Sequence, residues 1–111
     1  MQIRNLETFQ LNAPLEIPFG WSQDTISSRS VGLVKVTTDD GTIGWGEGCG
    51  GPSAVVVEDV LAPLLIGEDP TNRLGLWQKM FHSLYNANLA VGYGGSAISA
   101  IDTALWDITG K

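Results

Sequence analysis

The densest run of chemistry-bearing residues is Gly46-Glu47-Gly48-Cys49-Gly50-Gly51, which matches the G-x-G-x-x-G spacing of a dinucleotide cradle. Such a loop works when it opens straight into a helix whose free N-terminal amides meet the pyrophosphate, and Glu68 falls near the spacing of a ribose-binding acid. However, the preceding segment, Thr42 to Glu47, reads as the return arm of a hairpin rather than the first strand of a parallel βαβ unit, and Pro63 interrupts the helix that would follow. A glycine-rich turn is the plainer reading. Cys49 is the single cysteine and His82 the single histidine, so a nucleophile–base pair requires these two to meet. Their plainer readings are a small residue packed in a turn and a histidine flanking an apolar helical stripe. Among the carboxylates, Asp39-Asp40 belongs to a turn, Glu58-Asp59 to a helix face and Glu68-Asp69 to a helix entry, while Glu47 ends a strand. Asp102 and Asp107 lie about 140° apart on a helical wheel and cannot share one cation. No triad, zinc spacing or phosphate-binding loop is visible, so neither a metal site nor a catalytic residue is expected within the chain.

The elements that position these residues read as strands first and helices second. Ile3 to Leu11 makes a first strand, with Ile3, Phe9 and Leu11 on one face. Val31 to Thr38 is richer in β-branched residues and makes a second. Asp39-Asp40-Gly41 supplies the turn, with Gly41 free to take positive φ, and Thr42 to Glu47 returns as a third strand. Ser53 then reads as the cap of a helix bearing Val56, Val57, Val60, Leu61 and Leu64, which Pro63 should end or bend. Asp69-Pro70 predicts the start of a second helix with a stripe of Leu74, Trp77, Phe81 and Leu84. The third is the clearest, with Ile98, Ile101, Leu105 and Ile108 spaced by three and four and Gly110 as its stop. The expected fold class is α+β, a three-stranded antiparallel meander followed by three helices on one face.

Composition narrows the function classes. The chain has 111 residues, with six Lys+Arg against twelve Asp+Glu and a net charge of −6. That balance opposes a nucleic-acid surface, because a phosphate backbone would be repelled. The apolar fraction of 43% with 16% charged residues is that of a globular domain rather than a disordered chain. A lone cysteine forms no internal disulfide, no apolar run reaches membrane-spanning length, and MQIRNLETFQ lacks a signal-peptide core. A soluble, cytoplasmic chain with no membrane or nucleic-acid partner is the expectation.

Two stretches exceed what a minimal domain needs. The connection from about Asn12 to Ser28 is long for an unstructured loop and carries Pro14, Pro18, Phe19, Gly20 and Trp21. The other is Gly48 to Pro52. One leaves the end of the first strand and the other the end of the third, which runs the same way, so the two are expected to rim a ligand site together. Trp106 lies off the apolar stripe of the third helix, which predicts that this helix touches something beyond its own sheet.

The third helix, Ala97-Ile98-Ser99-Ala100-Ile101-Asp102-Thr103-Ala104-Leu105-Trp106-Asp107-Ile108-Thr109-Gly110-Lys111, resembles the signature helix of the mandelate racemase/muconate lactonizing enzyme family of the enolase superfamily. Asp39-Asp40-Gly41 through Gly44-Trp45-Gly46-Glu47, and Leu61-Ala62-Pro63-Leu64-Leu65-Ile66-Gly67-Glu68-Asp69-Pro70, occupy the places such segments have in that family's N-terminal domain. The resemblance spans essentially the whole chain.

It implies that residues 1–111 form an N-terminal capping domain. In that family a (β/α)-barrel carries the chemistry, with carboxylate ligands for Mg²⁺ and acid/base groups that remove a proton α to a carboxylate. The resemblance carries Pro18, Phe19, Gly20, Trp21 and Ser22 over to the first substrate loop, and Gly50, Gly51 and Pro52 to the second. Asp102 and Trp106 are the interface candidates. The chain stops at Lys111 without a barrel, so the resemblance implies no cofactor here, Mg²⁺ in the missing domain, and an inactive isolated chain. It further implies a small carboxylate substrate, an acid sugar, acted on by a parent dehydratase, racemase or cycloisomerase, and assembly into a homo-oligomer. The alternative is a stand-alone module that self-associates or binds a partner without catalysis.

Overall fold

The computed structural model describes all residues, Met1–Lys111. Its elements are β1 (Ile3–Trp21), β2 (Asp24–Thr38), β3 (Ile43–Glu47), α1 (Pro52–Val55), a π-helical stretch (Val56–Leu61), α2 (Ala62–Leu65), α3 (Arg73–Asn86) and α4 (Tyr93–Gly110). The sheet is antiparallel throughout, in the order β1-β2-β3. This is the α+β meander with helices that the sequence pattern predicts. No helix is long and apolar enough to cross a membrane.

One sheet face carries the core. Gly32, Val34, Val36 and Thr38 of β2 alternate inward with half-buried Val31, Leu33, Lys35 and Thr37 outward. On β3 the inward positions are Gly44 and Gly46, and the backbone of α4 lies directly against them. Ala100, Ala104 and Ile108 of α4 meet these glycines, and Ala97 and Leu105 of the same helix are buried with them. Small residues on both sides let helix and strand approach closely, and Asp107 Oδ2 then accepts from the Trp45 N–H at 2.9 Å. Gly41 takes φ +87° in the Asp39–Thr42 turn, as its position demands.

The structure corrects four expectations. Strand β1 runs on to Trp21 and β2 starts at Asp24, so Asn12 to Ser28 is a β-ribbon rather than a loop. At Pro63 the first helical run is distorted rather than ended: the Ala62 N–H bonds the Val57 carbonyl across a widened π turn, and the proline follows at the start of α2. Ser53 is no cap; it is buried one residue inside α1, and its hydroxyl donates to the Tyr93 carbonyl at 2.9 Å. α3 begins at Arg73, and its buried stripe is Leu76, Met80 and Leu84. Asp69 instead closes a tight turn, accepting from the Thr71 N–H and hydroxyl at 2.9 and 2.7 Å. Of the predicted stripe, Leu84 is in the core and half-buried Phe81 packs against it, whereas Leu74 is 72% exposed and Trp77 39%.

Candidate functional site: a ribbon arm and a pinned glycine loop

Beyond the Gln10–Gly32 pair the sheet has lost β3, and β1 and β2 continue alone to the Trp21–Asp24 pair. At the rise of a strand this is an arm reaching roughly 30 Å. Its pairing slips between Pro14 and Phe19, where the prolines occupy an edge strand that needs no donor from them. Ser22-Gln23 forms the two-residue tip, and neither takes positive φ. Gly20 lies beside it, where an added Cβ would sit 2.7 Å from the Asp24 carbonyl oxygen, so glycine here lets the strands close. The arm is exposed on both faces: Ile17 is 82% exposed, Trp21 55% and Phe19 43%. Within it, the Arg29 guanidinium lies over the Phe19 ring at 5.0 Å.

The second stretch is fixed at the root of this arm. Gly48 N–H donates to the Gly32 carbonyl at 3.0 Å, extending the β3 edge. Gln10 then clamps the loop from both sides: its Nε2 donates to the Cys49 carbonyl at 3.1 Å, and its Oε1 accepts from the Gly51 N–H at 3.3 Å. Gly51 takes φ +60° and Pro52 starts α1 behind it. The two expected stretches do leave the same end of the sheet. Gln10 and Arg29 escaped sequence reasoning, because one glutamine or arginine in a strand has no spacing signature. Glu47, Arg29, Leu11 and Val31 line a shallow recess of about 450 Å³ at the arm's root.

The remaining candidates resolve as follows. Cys49 is fully buried, and burial above all, with the Glu58 charge adding, pushes its thiol above its ordinary pKa. That is the opposite of nucleophile activation. Glu58 accepts from the Thr8 N–H at 3.3 Å and from the Thr8 hydroxyl, covering the edge of β1. The residue 46–51 cradle fails because β3 is antiparallel and the inward face of Gly46 meets α4. No three His, Cys, Asp or Glu side chains converge to hold a metal. The chain's own donor set therefore does not fit a magnesium site. Asp102 and Trp106 lie elsewhere, in a groove between α3 and α4 that shares no residue with the arm's recess. The arm and loop can cover, wall and hydrogen-bond a ligand.

Residues 3–111 match the family described as mandelate racemase / muconate lactonizing enzyme, N-terminal domain. The chain belongs to that family. The domain is 37% identical over its whole length to a D-galactarolactone cycloisomerase of Agrobacterium fabrum, of which it covers 29%. Over 71% of its length it is 50% identical to a D-galactonate dehydratase family member of Paenibacillus sp. (strain JDR-2), covering 20% of that protein. Its fold superposes with a TM-score of 0.86 on a solved member of the enolase superfamily from Polaromonas sp. JS666, at 28% identity over 99% of the domain and 30% of that chain. The domain thus spans less than a third of each of these relatives.

Proposed function

We propose that the domain caps the barrel of an enolase-superfamily enzyme acting on an acid sugar, as a dehydratase or cycloisomerase, and selects its substrate. The observation that supports this most is the arm. A two-stranded ribbon has little stability alone in water. This one leaves Ile17, Phe19 and Trp21 exposed, with Arg29 of the same ribbon over the Phe19 ring and none of the three in the core. Such a ribbon is suited to lie over another surface, and the names of the relatives supply the substrate class.

In this reading Phe19 and Trp21 form apolar wall and exclude water, which strengthens every charge interaction beneath them. Ser22 at the tip offers a hydroxyl to a substrate hydroxyl or carboxylate. Gly50 and Gly51 let backbone approach the ligand without side chains in the way, held in place by Gln10. The chemistry on the acid sugar belongs to the barrel, which would supply the metal ligands and the acid/base groups. The domain alone is then inactive. Purified chain supplied with Mg²⁺ and a panel of sugar acids is expected to give no turnover above blank. Turnover that scales with chain concentration and survives repurification would overturn the assignment.

A further inference from the structure

Between α3 and α4 runs a groove of about 390 Å³, lined by Arg73, Leu74, Trp77, Asp102 and Trp106. Asp102, Trp106 and Thr109 stand at steps of four and three along α4, on one side of the helix. Arg73 of α3 crosses to that side: its guanidinium lies 3.8 Å over the Trp106 ring, and its Nη1 donates to Thr109 Oγ1 at 2.8 Å. The other flank of the last turn is pinned as well, since Lys111 Nζ donates to the Ile43 carbonyl at 2.7 Å and to Asp107 Oδ2 at 3.0 Å. The end of α4 is therefore held in a fixed direction beside the groove.

The groove is short of partners. Arg73 Nε is out of contact with solvent and has no acceptor. A buried donor left unpaired costs free energy, so it marks a missing group. The ion pairs of the molecule, Lys79–Glu68 and Lys111–Asp107, engage neither Arg73 nor Asp102, and Trp106 is 57% exposed. What is missing is an apolar filler, an acceptor for Arg73 and a donor for Asp102. A peptide main chain carries an acceptor and a donor at every residue but proline. The relatives place such a chain here. The domain matches an N-terminal domain and covers 29% of the cycloisomerase and 20% of the dehydratase family member, so those polypeptides run on past α4.

We propose that in such a longer chain the stretch directly after α4 folds back into this groove. One of its apolar side chains fills the space between Trp77 and Trp106, a carbonyl accepts from Arg73, and an N–H donates to Asp102. None of these residues belongs to the arm or the glycine loop, so holding the domain in place and closing over a ligand fall to separate surfaces. The inference rests on family membership and stands whether or not the arm selects a substrate.

Lengthening the chain tests it. The roughly 15 residues that follow the matched part of the Agrobacterium fabrum cycloisomerase, up to about 50 Å when extended, are added after Lys111, and a glycine-serine tail of equal length is the control. The relative's tail should raise Tm by at least about 5 °C above the control. Trp106→Ala should abolish this gain, and Arg73→Met, which keeps an apolar stem but removes the donors, should at least halve it. Each variant is compared with itself carrying the control tail, so any loss of basal stability cancels. Phe19→Ala in the arm should leave the gain intact. A relative's tail no better than the glycine-serine tail, or a gain that survives both Trp106→Ala and Arg73→Met, would overturn the proposal.

Discussion

Gly46→Ala should be the most damaging single methyl that β3 can receive. A Cβ there would stand 2.8 Å from the Ala100 carbonyl carbon, closer still to its oxygen, and 3.1 Å from the Ala104 nitrogen. All three are backbone atoms of α4, so no side chain can rotate away. Restoring ordinary contact with the Ala100 carbonyl oxygen requires α4 to retreat by roughly 1.5 Å, and a gap of even 1 Å forfeits about half of each dispersion contact it opens. The contacts at stake are those of Ala97, Ala100, Ile101, Ala104, Leu105 and Ile108, all buried. Overpacking of this kind costs about 1–3 kcal/mol, and the lost packing along α4 takes the expected total to about 3–4 kcal/mol. A domain of this size has about 5–15 kcal/mol in all, so the variant should fold but with much of its margin gone. Gly41→Ala is the control. It has open space around it but φ +87°, so it should cost only the left-handed penalty of about 1–2 kcal/mol. Urea unfolding followed by tryptophan fluorescence compares the two. If Gly46→Ala proves no costlier than Gly41→Ala, the close β3–α4 approach is not what locks the fold.

Three further outcomes follow from single contacts. The Trp45 N–H, and then Lys111, hold the Asp107 carboxyl below its ordinary pKa, and Thr38 and Thr71 do the same for Asp40 and Asp69. Their folded values lie below the unfolded ones, so this stability is fully present above about pH 4 and is lost as pH falls through the folded values. Melting temperature should stay level from about pH 8 to 5 as far as these groups are concerned, then drop, less steeply in Asp107→Asn; an identical acid profile in that variant would contradict the assignment. Cys49, buried with a raised pKa, should react with a thiol reagent at least tenfold more slowly in the native chain than in urea. Equal rates would place the thiol at the surface. Gln10→Ala should speed amide exchange at Gly51 while leaving Val34 protected, because the clamp holds the loop and not the sheet; unchanged exchange at Gly51 would show that the backbone alone fixes it.

How much of this was legible depended on whether a residue has a buried face. α4 was readable because Ile98, Ile101, Leu105 and Ile108 are all buried inside the domain, and that demand writes a helical period into the sequence. The arm carried no such signal. A ribbon exposed on both sides has no inward face, so Asn12 to Ser28 shows no alternation and its prolines read as breakers. In α3 the predicted stripe of Leu74, Trp77, Phe81 and Leu84 straddles the buried face: Leu84 joins Leu76 and Met80 in the core and Phe81 packs against it, while Leu74 and Trp77 face outward, because periodicity does not say which of two overlapping apolar faces the domain buries. Trp106 stood out by breaking its helix's pattern, whereas at the site Gln10 and Arg29 work through tertiary neighbours that spacing does not encode.

The capping role is tested most directly by exchanging the N-terminal domain of the Agrobacterium fabrum cycloisomerase for this chain and measuring turnover with and without the arm, cut back to a short turn between Asn12 and Ser30. The account predicts that the fusion turns over an acid-sugar substrate. It further predicts that the shortened arm lowers kcat/KM by at least about tenfold while the melting temperature stays within a few degrees, because the arm makes no core contacts. Equal kcat/KM with and without the arm would contradict it.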